Sequence, residues 1–403
     1  MRRSLLARFV AVLAVAALPA GSGVAAGARR PATPAPAAAP VAGAPARPTT
    51  SQPAAAPLSF TIEATGDMLV HSPVWQRARS YGATNGMAYD FGPMLAKIKP
   101  LISAADLAIC HIETPMSPDD AHLSGYPLFN SPHELATAIA DAGYDGCSTA
   151  SNHSVDQGAA GVNATLVALD RAGLQHAGTA RSAAEAAHVE LHDVRGVEIA
   201  HLSYTYGTNG NTVAAGMPWI VNVTSVPRIL ADAHQARLAG ASFVVVSMHW
   251  GSEYQTSPTA EQRSQAAALL ASPDVDLILG DHVHVLQPVE RIGGKYVIYG
   301  LGNVFSNQSP AAGLPVNTQD GAILKIHVTQ QGSALVPDTV TFIPTFCQIG
   351  PYLVWPVAEA LNDPTTPATL RPQLLASWRR TVTAERSLPG HAADATPDTL
   401  PAA

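Results

Sequence analysis

From residue 59 onward the apolar positions alternate or run unbroken over short stretches, with helical periods between them. Ser59 to Thr65 alternates and then meets Gly66, which predicts a strand running into a loop. Leu107 to Cys110 predicts a short buried strand. Ser131-Pro132-His133-Glu134 has the form of a capping box with proline at the first helical position, so a helix is expected to about Ala142, stopped by Gly143. Tyr144 to Ala150 predicts the next strand. Residues 158–172 predict a helix with Val162, Leu166 and Leu169 on one face and Gly173 as its stop. The pattern then repeats, with strands over 197–202, 243–248, 275–279 and 295–299 and helices over 226–239 and 258–271. The unbroken run Phe243 to Met248 suits a strand covered on both faces. Two later strands are expected over 322–328 and 339–345. Strands alternating with helices predict a layered α/β fold, which binds its ligands beyond the carboxyl ends of the strands.

The ends of the chain read differently. Met1-Arg2-Arg3 and Arg8 precede an apolar run from Phe9 to Leu18 and small residues to Ala26, so residues 1–28 read as an export signal. The other reading is an uncleaved anchor over 9–28, against which Pro19 and three glycines weigh. Residues 29–57 read as a Pro/Ala-rich linker, 58–350 as the folded domain, 351–385 as a helical extension and 386–403 as a disordered tail. The expected location is therefore secreted or within the cell envelope.

Hydrophobic residues make up 47% of the 403-residue chain and charged ones 13%, enough apolar material for a large core. The net charge is -7, and the six arginines of residues 1–57 leave the rest near -13. Such a body does not bind nucleic acid by general electrostatics. Of the three cysteines, Cys110 and Cys147 precede ligand-type motifs. They read either as a disulfide across neighbouring strands or as two small buried apolar residues.

Five of the strand-like runs end in residues able to bind a metal: Gly66-Asp67, His111-Ile112-Glu113, Ser151-Asn152-His153, Met248-His249-Trp250 and Gly280-Asp281-His282-Val283-His284. Taken singly, each has an ordinary explanation as a turn aspartate, a surface acid, a capping asparagine or a core histidine. Taken together, Asp67, Glu113, Asn152, His249, His282 and His284 form a mixed oxygen and imidazole set. That set suits Mn, Fe or Zn better than calcium or a thiolate zinc site. Six ligands exceed one catalytic zinc and suit two divalent ions roughly 3.5–4 Å apart sharing a carboxylate and a nucleophilic hydroxide. His153 is placed to protonate a leaving group or steady an oxyanion.

The series resembles the CapA family, the poly-γ-glutamate capsule-biosynthesis proteins. Further matches are Thr114-Pro115, Glu253-Tyr254, Pro258, Gln262, Val285-Leu286-Gln287-Pro288 and Tyr299-Gly300-Leu301-Gly302-Asn303. The resemblance covers about residues 59–309. It implies a fold similar to the calcineurin-like metallophosphoesterases, a sandwich of two β-sheets flanked by helices with a dinuclear site at strand ends. It also implies Asp67 and His284 on a first metal, Glu113 as the bridging carboxylate, Asn152, His249 and His282 on a second metal, and His153 facing substrate. Leu69 stands where the phosphoesterases carry a histidine, with His71 two residues on as its candidate replacement. His111 stands where the family has asparagine, and Asp281 where it often has a histidine. His111 and Glu253 are candidates for orienting the ligands. Asn303 reads either as a substrate contact on a rim loop or as part of a tight glycine turn.

Three functions follow. The first is an exported metal-dependent hydrolase or transferase acting on an amide or related bond in an extracellular polymer. The second is an extracytoplasmic metallophosphoesterase acting on a small ester. The third is a non-catalytic accessory subunit of a membrane polymer synthase.

Overall fold

A computed structural model describes residues 57–403 apart from 214–215, 389–391, 393–394 and 398–403. The expected export signal or anchor and nearly all of the linker lie outside the described residues. Among the described residues no helix is long and apolar enough to cross a membrane.

Two sheets carry the domain. The first contains β1 (Ser59–Met68), β2 (Leu107–Ile112), β3 (Gly146–Ser148) and β4 (Gln175–Ala177). It also holds β11 (Asn303–Phe305), β12 (Asp320–Gln331), β13 (Ala334–Gln348), β14 (Leu353–Pro356) and β15 (Ala395–Pro397). Its order is β14-β13-β12-β1-β2-β3-β4, with β11 beside β1 and β15 beside β13. The second contains β5 (Leu191–Val194), β6 (Val197–Thr205), β7 (Phe243–His249), β8 (Leu277–Asp281), β9 (Val289–Ile292) and β10 (Lys295–Ile298), in the order β5-β6-β7-β8-β10-β9. The two-sheet α/β arrangement expected from the sequence is the one observed.

Side-chain alternation divides the burial. Leu107 and Ile109 of β2, Phe243 and Val245 of β7 and Leu277 and Leu279 of β8 share one apolar cluster with Phe60, Ile62 and Ala64 of β1, between the sheets. Ala108, Cys110 and Ile112 face outward to the helices Glu134–Ala142 and Gly158–Ala172. Val244, Val246 and Ile278 face Val226–Leu238 and Ala260–Leu270 on the other side. Continuing the inward rows, every second residue, puts His111, His249 and Asp281 at the strand ends, between the sheets. In β1 the inward residues are even-numbered, but its pairing with β2 shifts between Ala64 and Asp67. That irregularity places Asp67 opposite His111, on the inward side.

Several expectations need correction. The helix expected from a capping box at Ser131 begins at Glu134, with His133 at its N-cap and no side-chain cap. The Ser131 hydroxyl is taken instead by Thr114 and the Pro115 carbonyl. A capping box does form at Thr259 and Gln262, at the start of Ala260–Leu270. Gly143 and Gly173 end their helices with φ of 99° and 78°, as their positions require. The extension past 350 holds β14 before its helices Val357–Asn362 and Arg371–Glu385. The tail expected to be disordered is placed in part. Leu388 is buried, the Ala392 N–H bonds the Val289 carbonyl, and β15 runs parallel to β13. Cys110 and Cys147 pair across β2 and β3 and form a disulfide, while Cys347 is buried and free.

Candidate metal centre

Asp67 lies at the end of β1, fully buried, and both of its carboxylate oxygens meet imidazoles. Oδ1 is 3.6 Å from His111 Nε2 and 3.9 Å from His249 Nδ1. Oδ2 is 3.4 Å from His284 Nδ1, whose Nε2 is 3.7 Å from Glu113 Oε1. Two groups of potential ligands therefore share one carboxylate: Asp67, His111 and His249, and Asp67, Glu113 and His284. The shared residue is Asp67, whereas the resemblance placed Glu113 there. His111, expected to orient ligands from behind, stands in the first of these groups.

His282 sits against both. Its backbone N–H points to the Asp67 carboxylate at 3.2 and 3.3 Å, and its ring lies 4.7 Å from that of His249 and 6.1 Å from that of His284. The His282-Val283-His284 turn holds both histidines at positive φ, 90° and 59°, a strained backbone of the kind stored at functional sites. Asn152 turns its Oδ1 toward His249 Nε2 at 3.0 Å. An N–H donated there leaves His249 Nδ1 as the lone pair facing Asp67.

The chemistry of this donor set fits a cation. His111 Nε2, His249 Nδ1, His282 Nδ1, both Glu113 oxygens and Asp281 Oδ1 are buried without a hydrogen-bond partner. Buried polar atoms are ordinarily satisfied, and six orphans around one carboxylate make a cradle for positive charge. Burial holds the imidazoles neutral. His111 falls to about 4 although Asp67 opposes the shift, His282 to about 3, and His249 moves well below its usual value. Burial alone would raise Asp67, but the His284 hydrogen bond and the charges of His284 and His111 bring its carboxyl below the usual range. Burial pushes Glu113 and Asp281 well up. His284 is the exception: burial would lower it, yet the Glu113 charge and the Asp67 bond raise it to about 9.

His153 occupies the rim. Its Nδ1 is 2.7 Å from Asp156 Oδ2, and its Nε2 is 3.4 Å from Asn209 Nδ2. Ser151 ties it to the centre, accepting from the His153 N–H while donating to the Glu113 carbonyl. Asp156, Asn209 and Tyr206 were not singled out from the sequence. Tyr206, with its ring 4.6 Å from His282 and its hydroxyl reached by Asn152 Nδ2, follows β6 in a polar Thr-Tyr-Gly-Thr-Asn-Gly stretch that carries no motif. Asp156, three residues after His153, was the more findable.

The remaining candidates stand aside. His71 Nδ1 accepts the Asn307 N–H, and burial lowers its pKa to about 4; it joins neither ligand group. Glu253 is exposed and acts on Glu113 and His284 through its charge. Asn303 is buried and bonds His284 Nδ1 at 3.1 Å. It is fixed by Gln308 and the Thr318 carbonyl and so steadies the His284 ring. Trp250 is buried and bonds the Tyr299 carbonyl.

The profile of the bacterial capsule synthesis protein PGA_cap family matches residues 61–308, more than half of the chain. The capsule biosynthesis protein CapA of Bacillus anthracis is 25% identical over 289 residues, 68% of this chain and 66% of that protein. The PGA biosynthesis protein CapA of Bacillus subtilis is 28% identical over 243 residues, 59% of this chain and 61% of that protein. The chain thus spans less than two thirds of the length of either relative. Among solved structures, the calcineurin-like phosphoesterase YfkN from Bacillus subtilis is 13% identical with a TM-score of 0.41, covering 81% of this chain and 98% of that one, a likeness too distant to decide anything here. The match across 61–308 establishes that the chain belongs to the bacterial capsule synthesis PGA_cap family.

Proposed function

We propose that this protein is a divalent-metal-dependent hydrolase or transferase that acts outside the membrane on an amide or related carbonyl bond of a capsule polymer. One observation carries the reading: six buried donor atoms without partners belong to Asp67's neighbours His111, Glu113, His249, Asp281 and His282, and two of them face the Asp67 carboxylate directly. A structural scaffold has no use for so many unsatisfied groups in its interior.

Asp67, His111 and His249 would hold one ion, and Asp67, Glu113 and His284 another, with His282 and Asn152 beside them. Bound ions supply Lewis acidity toward a carbonyl or phosphoryl oxygen and lower the pKa of water. The chain's own contribution is orientation and proton transfer. Asp156 fixes the His153 ring through Nδ1 and stabilises it when charged. Its Nε2 then delivers a proton to the departing nitrogen or oxygen. Phe129, edge-on to His153 at 4.7 Å, keeps bulk water from one side of that ring.

The membership of the capsule synthesis family supports a polymer substrate, and the basic-then-apolar N-terminus supports export. Purified protein is to be analysed for metal stoichiometry, then assayed for chain shortening of poly-γ-glutamate and, in parallel, on a panel of chromogenic phosphoesters. Shortening that disappears in both Asp67→Ala and His282→Ala supports the reading. Phosphoester turnover alone moves the protein to the phosphoesterases. Metal-free protein, inactive on both, leaves an accessory subunit.

A further inference from the structure

We propose that a cavity of about 370 Å³ beneath the helix Arg371–Glu385 is an anion-binding subsite for a carboxylate-bearing chain that continues from the metal centre. Its lining includes Arg379, Arg380, Thr256, Asn317, Thr383 and Leu286. The volume falls in the range of small-ligand sites, roughly 300–1,000 Å³.

The two arginines divide the work. Arg380 is pinned: its Nε and Nη2 reach the buried Asp320 carboxylate at 2.6 and 2.7 Å. Arg379 is exposed and forms no ion pair among the described residues, so its fork is available to a ligand carboxylate. With Asp320 neutralising Arg380, the cavity keeps one net positive charge in a chain of net charge -7. The Thr256 hydroxyl and the Asn317 amide add uncharged donors around it, while the Thr383 hydroxyl donates to the Arg379 carbonyl at 2.7 Å.

Its walls are continuous with the loops of the centre. Leu286 lies two residues past His284, and Thr256 two past Tyr254, whose ring is 6.0 Å from that of His284. Asn317 precedes Thr318, whose carbonyl holds the Asn303 amide that positions His284. Three of the cavity's lining residues are therefore within two positions of residues that pack on or position His284. That this bound chain is the substrate rests on the function proposed above; the binding itself does not.

The test uses the full-length protein stripped of metal, so that ligand held by the centre does not contribute. A fluorescent γ-linked glutamate decamer is titrated at two salt concentrations into the wild type and Arg379→Glu, with a glutamine decamer and inorganic phosphate as comparators. The expected result is at least tenfold weaker glutamate-decamer binding in Arg379→Glu, with unchanged thermal stability and unchanged metal content on reconstitution. Equal affinity in the two proteins overturns the proposal, as does equal binding of the glutamine decamer. Competition by phosphate at the same concentration as a free carboxylate ligand overturns the choice of carboxylate. Should the metal centre prove empty on analysis while the decamer still needs Arg379, the subsite stands and the catalytic reading falls.

Discussion

Replacing Gly66 with alanine tests whether the close approach of two strands, and not the ligands alone, builds the centre. A Cβ at this position stands 2.0 Å from the Gly302 carbonyl oxygen and 2.9 Å from the Leu301 and Gly302 carbonyl carbons. Ordinary contact begins at 3.4 Å, so the methyl intrudes by about 1.4 Å. Both neighbours are backbone, and no rotamer change relieves them. β1 and β11 have to part where they pair, at Asp67 and Asn303. The Asp67 N–H, now 2.9 Å from that same Gly302 oxygen, loses its partner. The lost bond costs roughly 1 kcal/mol and the overpacking roughly 1–3 more. For a domain of this size that total lowers Tm by roughly 3–6 °C. Because Asp67 serves both ligand groups, its displacement also weakens metal binding, by roughly 10–100-fold. Differential scanning calorimetry and metal content after dialysis against a limiting chelator measure the two effects. Gly207→Ala, with nothing within 4 Å of its Cβ, is the neutral control. An alanine at 66 that leaves Tm within a degree and metal content at the wild-type level refutes the reasoning.

Three further outcomes are expected. His153→Ala keeps its metal but turns over roughly 10²–10⁴-fold more slowly; loss of metal along with activity would instead make His153 a ligand. Cys147→Ala opens a disulfide that spans 37 positions, which costs roughly 3–4 kcal/mol in the urea unfolding free energy, and coincident unfolding curves would contradict it. Burial depresses His201 to about 3 and His192 to about 4, so their contribution to stability is whole above about pH 6.5 and is lost as pH falls through 4 and then 3. His201→Gln should flatten that acid limb of the urea midpoint in metal-stripped protein, and an unchanged limb sinks the assignment.

What the sequence made legible followed side-chain period and punctuation. The unbroken apolar run at 243–248 spelled a strand buried on both faces, and Gly143 and Gly173 marked helix ends through the left-handed backbone they take. The metal-type residues stood out because they end such runs. Their division into groups was not legible. A one-position irregularity in β1 turns Asp67 inward beside His111, and no local feature of Thr65-Gly66-Asp67 announces a shift that depends on pairing with β2. The short strands β3, β4 and β11 owe their existence to neighbours rather than to propensity, and the Ser131 box failed because Thr114 and Pro115 competed for its hydroxyl. Tyr206 and Asn209 reach the site from a loop whose sequence is only polar.

The protonation pattern separates the two ligand groups in a way composition does not. In the metal-free protein near pH 7, Asp67 is charged, and His111, His249 and His282 are held neutral by burial, so the group of Asp67, His111 and His249 is ready to accept an ion without losing a proton. The group of Asp67, Glu113 and His284 is not. There His284 carries its proton up to about pH 9, held by the Glu113 charge and the Asp67 bond, while burial shifts the Glu113 carboxyl upward against the charge of His284. The His284 proton has to leave before that side chain can act as a ligand. One ion should therefore bind with an affinity nearly flat between pH 6 and 8. The other should tighten as pH rises, by up to roughly tenfold per unit for the one proton released. Calorimetric titration of manganese or zinc in buffers of different ionisation enthalpy counts the protons for each event. Glu113→Gln takes away one of the charges that hold the His284 proton, so it should move the pH dependence of the weaker event to lower pH and leave the first unchanged. If both ions release the same number of protons, or neither releases any, the division of the centre into a ready half and a protonated half is wrong.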